Sequence, residues 1–105
     1  MKIFIASNSS DLNGKVAERF ARAPFFILYD TETHEWKAIE NTEFMEHGMG
    51  PKIARLASDN NVDLIYSAPP GPNAMQTLNA FGIKFEDASG KSLMEILKKE
   101  GYENT

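Results

Sequence analysis

The apolar residues of this chain fall into short clusters separated by polar turns. "KIFIAS" sets Ile3 and Ile5 on one side of an extended segment and Phe4 and Ala6 on the other. Apolar residues on both sides mark a strand covered on both faces, so this segment predicts a central strand. "FFILYD" (25–30) and "WKAIE" (36–40) are two further strands, joined by the polar "TETH", a spacing that predicts an antiparallel hairpin. "VDLIYSA" (62–68) reads as a fourth strand, apolar on both faces, and "IKFED" as a fifth.

Between the strands the period changes. Leu12, Val16 and Phe20 recur at i, i+4 and i+8, predicting an amphipathic helix of about two turns. Pro51 suits a first helical position, followed by an apolar stripe of Ile53, Leu56 and Ala57 that ends at "SDNN". "PNAMQTLNAF" (72–81) predicts a helix with Ala74, Leu78 and Phe81 inward and Gly82 behind its end. Ser92 with Glu95 forms a capping-box signature ahead of Leu93, Ile96 and Leu97. "GYENT" reads as a frayed tail. The order is β-α-β-β-α-β-α-β-α, which predicts a single α/β unit over 1–105. Its mixed sheet should carry one antiparallel hairpin and helices on both faces, a three-layer α/β/α arrangement.

Composition narrows the function more than the fold. The chain has 105 residues, no cysteine and a formal charge of −4. Without cysteine there is no disulfide, thiolate-held zinc or iron–sulfur centre, or thiol nucleophile. No run of basic residues is visible, so a nucleic-acid partner is not expected. "MKIFIAS" is not the apolar core of a signal peptide, and no stretch approaches the ~20 apolar residues of a membrane span. These features predict a soluble, cytoplasmic protein with no membrane partner.

Two segments attract chemistry. In open α/β sheets ligands bind beyond the carboxyl ends of parallel strands. Strand one ends in Ser7-Asn8-Ser9-Ser10, and strand four ends in "SAPPGPNAM" (67–75), where Gly71, Pro72 and Asn73 open a helix. "HGMGP" (47–51), with His47 and Gly50, leads into another helix start. Helix starts expose unpaired N–H groups and favour anions, and glycine lets a ligand approach the backbone. Ser7, Asn8, His47, Gly50, Gly71, Pro72 and Asn73 are therefore the candidate anion-binding residues, with His47 the candidate metal ligand. Ordinary turn chemistry accounts for the same residue types. Neither "GMGP" nor "PPGPNA" is a phosphate-loop or dinucleotide fingerprint. No nucleophile elbow or Cys–His pair is present, and the central first strand lacks the carboxylate a metal-dependent nuclease needs. The sequence points away from an enzyme.

"ERFARAPFFILYD", "IEN", "HGMGPKIARL", "NNVDLIYSA", "GPNAMQTLNAFGIK" and "ASGKSLMEIL" together resemble the dinitrogenase iron–molybdenum cofactor biosynthesis family. That family includes the nitrogenase accessory proteins NifX and NafY and the C-terminal region of NifB. The resemblance spans essentially the whole chain. It implies a ribonuclease H-like fold with a five-stranded mixed sheet. It also implies a non-enzymatic role, carrying an anionic iron–sulfur or iron–molybdenum cluster or its precursor among cluster-assembly proteins. Cofactor-carrying members commonly show His-Phe-Gly where this chain has Arg19-Phe20-Ala21. Two other readings stand beside this one. The cradle suits a phosphate- or nucleotide-binding regulatory domain, and Phe44 and Met45 suit a protein-interaction module.

Overall fold

The computed structural model describes residues 1–42 and 48–103. Five strands form one sheet: β1 (Lys2–Ser7), β2 (Phe25–Asp30), β3 (Trp36–Glu40), β4 (Leu64–Ser67) and β5 (Lys84–Asp87), in the order β3-β2-β1-β4-β5. β1 and β2 pair antiparallel, as do β2 and β3, whereas β1–β4 and β4–β5 are parallel. The mixed sheet is therefore a three-strand antiparallel half joined to a parallel half. Three helices accompany it among the described residues: α1 (Met49–Asp59), α2 (Pro72–Ala80) and α3 (Leu93–Lys99).

Strand alternation feeds two separate cores. Phe4, Ala6, Phe26 and Ile65 point to one face, where they meet Ile53, Ala54 and Ala57 of α1 and Ala74 and Leu78 of α2. Phe4 and Phe26 stack there with ring centroids 4.9 Å apart. Ile3, Ile5, Ile27, Tyr29 and Tyr66 point to the other face, under Leu93, Ile96 and Leu97 of α3. Burying such side chains is worth roughly 1.5–3 kcal/mol apiece, so the sheet is held mainly by these two apolar contacts.

The helix expected over Leu12, Val16 and Phe20 is absent. Residues 8–24 run irregularly, touching the rest through isolated bridges from Val16 to Ser7 and from Lys15 to Ser92. The backbone donors go to distant partners: Val16 N–H to the Lys91 carbonyl (3.0 Å) and Ala17 N–H to the Ala6 carbonyl (2.9 Å). Short polar side chains occupy others, as where Asp11 accepts from Asn13 N–H at 2.9 Å. Such local bonds compete with helix, and two turns alone are below the length that nucleates easily. The decisive fact is direction. Leu12 and Val16 feed the α3 face, whereas Ala17 and Phe20 feed the α1/α2 face. One helical stripe cannot serve both.

Smaller differences follow the same logic. α1 starts at Met49, two residues before Pro51, which still lies in the first turn where its missing N–H costs nothing. Phe81 is the residue after α2 and 45% exposed; the turn at Gly82 (φ 72°) hands its inward place to Ile83. Tyr102 is tied down, its N–H bonded to the Leu97 carbonyl at 2.8 Å and its ring edge-on to Tyr29. Tyr66 donates its hydroxyl proton to Glu100, and burial together with that carboxylate pushes the phenol well above its ordinary range. Glu100 and Tyr102 thus tie the end of α3 back onto this core.

Candidate functional site

Two adjoining clefts lie beyond the carboxyl ends of the parallel strands. The first, of about 400 Å³, is lined by Gly48, Gly50 and Pro51 at the start of α1 and by Pro69–Ala74 at the start of α2. The second, of about 640 Å³, is lined by Asn8 after β1, Ala68 after β4, and Ser89 and Gly90 after β5. Glu18, Arg19 and Arg22, from the irregular 8–24 segment, line both clefts and make them one trough. β1, β4 and β5 are parallel, so all three deliver their exit turns to the same rim.

Local structure explains why backbone is available there. The N-caps of α1 and α2 are Gly48 and Gly71, which have no side chain to offer their helix. Gly71 holds the extended conformation of an ordinary N-cap (φ −69°, ψ 170°), and a Cβ placed on it would meet no protein atom within 4 Å. Gly50 is different. A Cβ there would lie 2.8 Å from the Cβ of Ala74, so glycine is what lets α1 approach α2. The two helix starts, each carrying partial positive charge, are brought side by side at the first cleft.

The predicted site residues are only partly gathered. Gly50, Gly71, Pro72 and Asn73 line the first cleft, and Asn8 lines the second. Ser7 is fully buried and lines neither. Its hydroxyl donates to the Ser9 carbonyl (2.8 Å) and accepts from Ser9 N–H (3.0 Å), shaping the turn. Asn8 likewise uses its carbonyl oxygen on Lys15 N–H at 3.0 Å. His47 lies outside the described residues, as do Phe44 and Met45.

Sequence reasoning missed the charged lining. Among the described residues, Lys15, Arg19 and Arg22 bring cations to the trough and Glu18 a carboxylate. They are spread along the chain, so no basic run signals them; the fold assembles them. Beside the trough, the Ser89 hydroxyl and N–H bond Asp87 at 2.6 and 2.9 Å and hold its carboxyl below the ordinary range. Among the described residues no group of three or more His, Cys, Asp or Glu could hold a metal ion. No helix among them is long and apolar enough to cross a membrane.

Fold and trough together describe an α/β protein with a concave surface, lined by backbone and by Lys15, Arg19 and Arg22, at the ends of its parallel strands. Residues 1–100 match the profile of the dinitrogenase iron-molybdenum cofactor family, and the chain belongs to that family. Among solved structures it is similar to the apo form of the orange protein from Desulfovibrio gigas, with a TM-score of 0.87 and 26% identity, covering 93% of this chain and 84% of that one. It is also similar to a "putative NifB protein" from Thermotoga, with a TM-score of 0.81 and 36% identity, covering 96% of this chain and 89% of that one. A comparison with curated protein sequences gave no match. The family and these neighbours support a cofactor-related carrier role.

Proposed function

We propose that this protein is a non-catalytic, cytoplasmic carrier that binds an anionic metal–sulfur cluster, or a precursor of one, in the trough, and that it serves cluster-assembly proteins. The carrying observation is the convergence of two glycine-capped helix starts with Arg19 and Arg22 at one concave surface. A cluster that arrives with its own sulfides needs no protein thiolate. N–H groups and guanidinium forks suffice to hold it as an anion. Asn8, Gly50, Gly71, Pro72 and Asn73 are the contact residues in this reading, Ser7 shapes the turn beneath them, and His47 is the candidate metal ligand. The proposal includes the three-layer, ribonuclease H-like description of the 1–105 unit.

Anaerobic titration with tetrathiomolybdate and with a preformed iron–sulfur cluster tests it. Saturable binding is expected, and Arg19→Ala should weaken it about tenfold or more, the worth of one charge-assisted hydrogen bond. An unchanged affinity in His47→Ala would remove that residue from the site. The chemistry of the trough also suits phosphate. If neither metal–sulfur probe binds while inorganic phosphate or a nucleotide raises the melting temperature, the regulatory reading replaces the carrier.

A further inference from the structure

The arginines that line both clefts sit on a stretch of chain with no helix or strand to hold it. Three apolar anchors fix it from below: Ala17, Phe20 and Ala23 are buried in the α1/α2 core. Anchors of this kind set where a loop sits, but they leave its peptide planes free to rotate. Hydrogen bonds set that orientation, and Asn41 supplies two of them.

Asn41 follows β3 and extends the β2–β3 ladder by one step, its N–H bonded to the Pro24 carbonyl at 2.9 Å. The residue is only 9% exposed. The carboxamide nitrogen donates to the Ala21 carbonyl at 3.2 Å and to the Ala23 carbonyl at 3.0 Å. Those carbonyls bracket Arg22, and Phe20 is locked between Arg19 and the first of them. Both amide protons of one buried side chain are thus spent on the loop that carries the guanidiniums. Asn41 itself lines neither cleft of the trough.

We propose that Asn41 is a positioning residue of the anion site: its two hydrogen bonds help hold the 19–22 segment in the backbone arrangement that presents Arg19 and Arg22 to both clefts. The inference rests on the carrier reading above and deepens it, because it assigns the orientation of the cationic wall to a residue that does not touch the ligand. A guanidinium fork recognises an anion by direction as well as charge, so its gain depends on a fixed stem. Pre-ordering that stem lowers the cost of binding, which free loops must meet on each encounter.

The test compares wild type, Asn41→Ala, Asn41→Ser and Ile96→Ala. Ile96 lies in the other core, under α3, and supplies a loss of stability remote from the loop. Each is titrated anaerobically with tetrathiomolybdate across a salt series, and backbone amide exchange is read over residues 18–23. Asn41→Ala should weaken binding at least about fivefold, in line with two lost hydrogen bonds. It should also speed exchange in the loop. Asn41→Ser, which keeps one donor, should fall between and stands in if the alanine variant fails to fold. Ile96→Ala should lower the melting temperature with little change in affinity. Equal affinity in wild type and the Asn41 variants, or equal weakening in Ile96→Ala, overturns the positioning role while leaving the carrier reading intact. No binding by wild type overturns the carrier reading, and this inference with it.

Discussion

The starts of α2 and α3 follow the same kind of turn, each leading out of a parallel strand, yet they are finished in opposite ways. α3 has a complete capping box: Glu95 N–H donates to the Ser92 hydroxyl at 3.2 Å, and Ser92 N–H reaches back to the Glu95 carboxylate at 3.3 Å. α2 has Gly71 at its N-cap, Pro72 at its first position and no side-chain cap among the described residues. Proline removes one N–H that would otherwise be orphaned, but the next ones receive no bond from the side chain of the N-cap. A fold able to satisfy one helix start so fully leaves the other open at the point where two clefts meet. Since a cap is worth about 1 kcal/mol, the difference locates where stability has been left unclaimed.

The largest expected effect tests whether the open end depends on two helices acting together. Gly50→Ala places a methyl 2.8 Å from that of Ala74, a contact between backbone-anchored groups that no side-chain rotation relieves. Overpacking of this kind costs about 1–3 kcal/mol, and forcing α1 from α2 should weaken anion binding at the same time. Chemical denaturation and titration of one sample check both. A loss of stability with full affinity would show that the start of α1 contributes nothing to the site.

Ser92→Ala removes the contrast from the other side. Losing the hydroxyl arm of the box, while the Ser92 backbone N–H keeps its bond to Glu95, should cost about 1 kcal/mol in urea denaturation. Anion affinity should not move, because α3 belongs to the opposite core. A change in affinity would mean that the Lys15–Ser92 bridge carries the cap's state into the trough.

How much of this was legible in the sequence follows from where each segment finds its partners. Ala74 and Leu78 of α2 and Leu93, Ile96 and Leu97 of α3 repeat at helical spacing and bury one face, so periodicity alone locates them. The capping box was readable for the same reason, since its two residues lie three apart. Residues 8–24 were misread because spacing cannot say which core a side chain enters. Val16 and Phe20 are four apart and go to opposite faces of the sheet. What holds that segment comes from Ala6, Lys91 and Asn41, at distances along the chain that no local pattern encodes. The candidate site divides likewise. Gly50, Gly71 and Asn73 announced themselves as turn residues, whereas Arg19 stood out only against the family's His-Phe-Gly and Arg22 carried no local signal.

The smallest expected effect on stability is the most informative for function. Gly71 already has the backbone geometry of an N-cap, and its missing side chain would point into open space. Gly71→Asp should therefore be accepted without strain and give α2 the cap it lacks. Replacing glycine there gains a few tenths of a kcal/mol, and the carboxylate's favourable place at the positive helix end adds to that. The same carboxylate would occupy the N–H groups and repel an incoming anion, so binding should fall by about tenfold or more. Gly71→Ser offers a cap without the charge and should cost less affinity. A more stable protein that no longer binds would show that the open helix start is maintained for its ligand. If Gly71→Asp is stabilised and still binds fully, the α2 amides lie outside the site, and the proline-rich turn is strand-to-helix punctuation after all.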